Sequence, residues 1–216
     1  MITPIISRRR RLFEVAAVLI TALGKFVFMD WFAWKLPFII IAIVGWTIYV
    51  IRRARYVEGI LQYWGFNKET FMPVLRMVLP FAIASIIVLF CIGFYRETIR
   101  LTWHIIPILI LYPIWGTIQQ FLVIGLVAGN LNELNRARSS APVIFVSALL
   151  FGLLHYPNYW LILGTFVLAL FYGYIYLKAR NVYVMGILHG WLGAIFFYTV
   201  VDRDPFAEVF GWIVGK

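Results

Sequence analysis

The sequence predicts an all-α protein, a polytopic bundle of about seven transmembrane helices with its N-terminus in the cytoplasm. Three observations carry this. Hydrophobic residues make up 63% of the 216-residue chain and charged residues only 13%, where a soluble domain is about a quarter charged. Mean hydropathy is +0.91, more apolar surface than a chain of this length can bury in its own core. The apolar residues also fall into runs near the roughly 20 residues needed to cross a bilayer.

Seven runs qualify: Leu12–Phe32, Leu36–Ile51, Met72–Tyr95, Trp103–Ala128, Pro142–His155, Tyr159–Leu177 and Val182–Val201. The fifth is short and ends against Pro157, which breaks or kinks a helix. Phe206–Val214 is apolar but too short to span, so it reads as an interfacial segment or part of an eighth element. Arg52–Glu69 mixes charged and aromatic residues, the pattern of an amphipathic helix lying at the cytoplasmic interface. The stretch from Leu12 is too long for a cleavable signal, contains Lys25 and lacks a small-residue cleavage site, so it reads as a retained first span. No repeat, low-complexity tract or linker divides the chain. A single membrane domain, 1–216, is expected.

The net charge of +10 does not point to nucleic acid, because the positive charges sit at span boundaries. Threading the runs from a cytoplasmic N-terminus puts Arg8 to Arg11, Arg52, Arg53, Arg55, Lys68, Arg76, Arg136, Arg138, Lys178 and Arg180 on one side, 13 of the 19 basic residues. That is the bias expected of cytoplasmic loops, and such clusters attract anionic lipid. Cys91 is the only cysteine, so no internal disulfide can form. Lys25 and Arg76 read as the charges well inside spans, and each can snorkel to an interface. A proton or ion relay of the transporter kind is therefore poorly supported.

Polar side chains inside a span are costly and mark candidate sites. They are Gln119 and Gln120 in the fourth span, His155 at the end of the fifth, and His189 in the seventh. Counted from the cytoplasmic ends at about 1.5 Å per residue, Gln120 and His189 lie roughly 10–15 Å deep and His155 roughly 20 Å, so they can converge on one pocket. Each has a plain alternative: intramembrane amides often only bridge helices, and a lone buried His is commonly a satisfied packing group.

At these positions the stretch from about Trp115 to Gly193 resembles the membrane-embedded CAAX prenyl protease and bacteriocin-processing family, also called Abi or CPBP. A family-like core of about 103–201 is expected. That family has two adjacent glutamates followed four residues later by arginine, then Phe-x-x-x-His, then His-x-x-x-Asn. Phe151 and His155 match the second motif and His189 opens the third. Gln119 and Gln120 stand in place of the glutamates, Ile124 in place of the arginine, and Gly193 in place of the asparagine.

The resemblance implies an intramembrane endopeptidase in which the glutamates activate water while the histidines and asparagine bind water or the developing oxyanion. A glutamine amide cannot act as general base. The expected protein thus lacks glutamate-dependent proteolysis. Gln119, Gln120, His155 and His189, flanked by Phe151, Ile124 and Gly193, would hold a membrane peptide, a lipid or a prenylated ligand. The alternative is altered chemistry, with an imidazole as base and the amides as oxyanion donors. Two neutral imidazoles without a carboxylate make a poor metal site, so neither metal nor cofactor is expected. Glu133, in the loop after the fourth span, reads as a solvated carboxylate. A bacterial inner membrane is the expected location.

Overall fold

The computed structural model describes residues 4–135 and 139–214; Arg136 and Arg138, placed by the threading above, lie outside them. The described chain is helical, with no strand. Helix α1 (Arg8–Gly24) runs on as a π-helical turn, Lys25–Trp31, and α2 is Lys35–Tyr56. A short α3 (Ile60–Tyr63) precedes α4 (Phe71–Tyr95). Then α5 (Ile105–Gln120), a π-helical segment Phe121–Ala128 and α6 (Gly129–Leu134) form one continuous rod. Helix α7 (Ala141–Leu153) pairs with α8 (Tyr159–Lys178) as a hairpin. Helix α9 (Val182–Phe196) extends as a π-helical end, Phe197–Val201, and α10 is Pro205–Val214. Six of these rods are long and apolar enough to cross a membrane, and Ala141–Leu153 is a shorter apolar helix.

Two differences from the sequence reading have physical causes. Arg52–Glu69 is not one interfacial helix. Helix α2 carries its arginines to Tyr56, Gly59 turns the chain with φ of 73°, and Ile60 and Trp64 fold into the core, each 1% exposed. The fourth rod also runs six residues past Ala128, because its polar end finds partners. Asn130 Nδ2 donates to Glu14 at 2.7 Å, and Arg11 donates to Asn130 at 3.0 Å and to the Tyr63 hydroxyl at 2.8 Å.

Glu14 lies inside α1 and is 1% exposed, a charged residue within a span in addition to Lys25 and Arg76. It also accepts from the Tyr49 hydroxyl at 2.5 Å. Glu133 is not simply solvated: Arg180 reaches it at 3.3 Å and Arg11 at 3.8 Å. Arg76 is exposed.

The core is built around α5 and α9, which make the most extensive contact in the bundle. Apolar side chains gain nothing by leaving lipid for one another, so membrane helices associate through close packing of small residues. Gly116 on α5 meets Gly186 and Gly190, one turn apart on α9. A Cβ on Gly186 would stand 2.1 Å from Thr117 Oγ1, and one on Gly190 2.5 Å from the Pro113 nitrogen. Pro113 has no N–H to offer the carbonyl four residues earlier, and that carbonyl, on Leu109, accepts instead from Trp191 Nε1 at 3.1 Å. The start of α9 is pinned as well. Asn181 caps it, accepting from Val184 N at 3.0 Å, while its Nδ2 donates to the Asn67 carbonyl at 2.6 Å. Together these contacts set the rotation and height of α9 against α5.

Candidate functional site

The α5–α9 crossing brings Gln119 to His189. His189 Nε2–H donates to Gln119 Oε1 at 3.1 Å, which leaves His189 Nδ1 as the unprotonated nitrogen. That atom is buried and has no hydrogen-bond partner among the described residues. Gln120 is displaced about 100° around the helix from its neighbour and takes no part. It is 1% exposed, and both of its amide atoms lack a partner among the described residues. Ile124, one turn on, is a packed core residue at 1% exposure.

His155 arrives from the α7–α8 turn. Its Nδ1–H donates to the Phe151 carbonyl at 2.8 Å and faces the Thr165 hydroxyl at 3.2 Å. Thr165 spends its own proton on the Leu161 carbonyl at 2.6 Å, so its oxygen can accept from His155. With Nδ1 protonated, Nε2 of His155 keeps its lone pair. The Phe151 ring packs against both histidines, its centroid 5.1 Å from that of His155 and 5.5 Å from that of His189. Gln119, His155, His189 and Phe151 thus form one cluster. Ile124 and Gln120 stand outside it.

A small cavity of about 150 Å³ touches Gln119, Phe151 and His155, and two large ones meet at the cluster. One, about 440 Å³, lies among α4, α8 and α9 and is walled by apolar residues including Phe81, Val88, Leu168 and Phe196; it reaches Gln119, His155, Thr165, His189 and Gly193. Gly193 opens onto it, and a Cβ there would meet nothing nearer than Tyr112 Cδ2 at 4.0 Å. The other, about 940 Å³, lies among α2, α5, α10 and the π-helical turn that follows α1, and touches His155, Tyr112 and Trp115. Its mouth is charged. Lys35 Nζ lies 2.9 Å from Glu208, Arg203 binds the same carboxylate at 2.5 Å, and Lys25 lies 2.7 Å from Asp30.

The type II CAAX prenyl endopeptidase Rce1-like family matches residues 2–195 of the sequence. The chain belongs to this family. No curated protein and no solved structure matches it. The match covers the N-terminal helices as well as the α5–α9 stretch that carries the motif residues. An Rce1-like chain with six long apolar helices is a multi-pass integral membrane protein, so lipid is its surroundings.

Thr165, which holds His155, was not singled out from the sequence. A hydroxyl in the middle of the apolar run Tyr159–Leu177 is the signal that marks it. Glu14, under the arginines that open α1, is the same kind of signal at the opposite end of the bundle. Among the described residues, no three His, Cys, Asp or Glu side chains gather into a metal-ligating group.

Proposed function

We propose that this Rce1-like chain binds a membrane peptide or lipid-like ligand in the apolar cavity beside Gln119, His155 and His189, without the glutamate-dependent hydrolysis its family name implies. The observation that carries the reading is the neutral Gln119–His189 hydrogen bond at 3.1 Å. The family resemblance expects a carboxylate at position 119; an amide oxygen there accepts the imidazole proton but cannot take one from water. The neighbouring changes support it. Ile124 leaves no buried cation needing a counter-charge, and Gly193 leaves space where an asparagine is expected. On this reading Gln119 and His189 offer hydrogen bonds to a polar ligand group, and the walls of α4 and α8 take its apolar part. We take 1–216 to be one membrane domain and a bacterial inner membrane to be its location.

One observation favours a second reading, a hydrolase of altered chemistry. His155 has its Nδ1 proton committed to Phe151 and its Nε2 lone pair free, the state required of a general base. The deciding experiment uses the purified full chain and a panel of prenylated and unmodified membrane peptides. Saturable binding without turnover is expected. Hydrolysis abolished by His155→Ala would overturn the binding reading in favour of the second.

A further inference from the structure

The larger cavity has a composition that the Gln119 cluster does not explain. Its long walls are apolar: Leu36, Ile39, Ile40 and Ile43 on α2 face Ile108, Leu111 and Ile114 on α5, a groove about 10 Å long at 1.5 Å per residue. Ile40 is 50% exposed and Ile114 53%, so the groove opens sideways between two membrane-spanning helices, where lipid chains lie. The mouth is polar and positive. Lys25, Lys35 and Arg203 line it against Asp30 and Glu208, three cations to two carboxylates, an excess of one positive charge. Among the described residues Glu208 alone pairs with both Lys35 and Arg203, which leaves that pair short of one anion.

We propose that this cavity is a binding site for an anionic phospholipid, its headgroup phosphate seated between Lys35 and Arg203 and one acyl chain lying along the α2–α5 groove. Both cations carry donors beyond those used by Glu208, and a guanidinium suits bidentate phosphate contact. The apolar walls match an acyl chain, and the side opening lets it enter from the bilayer. The proposal stands independently of how the Gln119 cluster is used.

The test uses the full chain in a neutral detergent. Melting and native mass spectrometry are followed as phosphatidylglycerol, phosphatidylcholine or inorganic phosphate is added. Phosphatidylglycerol should raise the melting temperature and remain bound, and the other two should not. Lys35→Gln and Arg203→Gln should each weaken phosphatidylglycerol about tenfold or more, since each removes a charge-assisted contact. Glu208→Gln should strengthen it, because it frees both cations from a competing carboxylate. A purely structural ion-pair cluster would instead weaken in all three variants. Ile40→Trp, at an exposed wall position, should abolish the lipid effect with the lipid-free melt little changed. Equal stabilisation by phosphatidylcholine, an equal response to phosphate alone, or loss of affinity in Glu208→Gln would each overturn the proposal.

Discussion

Gln119 Oε1 and His189 Nε2 stand 3.1 Å apart, held there by a crossing so close that Gly186 and Gly190 have no room for a Cβ. The amide and the imidazole are therefore a consequence of backbone packing, and each can be tested through the other.

Gly186→Ala places a methyl 2.1 Å from Thr117 Oγ1. Overpacking of this kind costs about 1–3 kcal/mol or more, so a clear fall in melting temperature is expected in detergent. Gly193→Ala, with only Tyr112 at 4.0 Å, should melt close to the parent protein. Equal melting of the two variants would remove the close-packing account.

Only position 119 faces His189, so the two amides are not equivalent. Gln119→Glu combined with Gly193→Asn restores an acceptor of protons beside His189 and fills open space. Measured by peptide release from a prenylated substrate, it should gain hydrolysis. Gln120→Glu should gain none, and should lower stability by placing an unpaired charge at a site 1% exposed.

Thr165 is a positioning residue for His155. Thr165→Val removes the 3.2 Å contact and frees the ring to turn about its remaining bond to Phe151. Ligand affinity should drop about tenfold, near the worth of one net hydrogen bond, with Thr165→Ser restoring it. A fall in melting temperature with unchanged affinity would assign Thr165 to packing alone.

Glu14→Ala strips the acceptor from both Asn130 and Tyr49, at about 1–3 kcal/mol for each polar group left unpaired. Glu14→Gln keeps an acceptor and should lose less. Thermal unfolding of the two variants checks the order.

The docking of α10 should depend on acid. Burial pushes the Asp204 carboxyl upward, but hydrogen bonds from His104, the Ala207 N–H and the Tyr198 hydroxyl outweigh it and hold it below the usual range. For Glu208 burial is likewise outweighed, by Arg203 and Lys35. A depressed carboxyl contributes stability that is fully present above its unfolded value, about 4, and is lost as pH falls through the lower folded value. Hydrogen exchange across Pro205–Val214, corrected for intrinsic rates, should stay protected near neutrality and rise below about pH 4. Asp204→Asn should weaken that protection at neutral pH.

Much of the bundle was legible because apolar run length is a direct reading of bilayer thickness. Val182–Val201 and Tyr159–Leu177 match their helices within a residue. What escaped were features set by partners distant in sequence. Nothing near Asn130 announces that Arg11 and Glu14 will satisfy it, so the apolar pattern alone ends the fourth rod at Ala128. Nothing in Gln119-Gln120 tells which amide faces α9, because the α5–α9 rotation is set by Pro113, Gly186 and Gly190. His155 was visible as a polar residue at a span end, while its partner Thr165 was masked by the apolar run around it.

The π-helical segment Phe121–Ala128 has a bearing on permeability. All eight of its residues are buried, and two of them, Leu122 and Val123, close off a small cavity of about 150 Å³ that touches Gln119, Phe151 and His155. From Gln119–Gln120 to Asn130, the segment carries only apolar side chains and glycine. A proton or ion that reaches Gln119 therefore meets no polar side chain along this segment to pass it on toward Asn130, so the rod that carries the pair is not itself a relay.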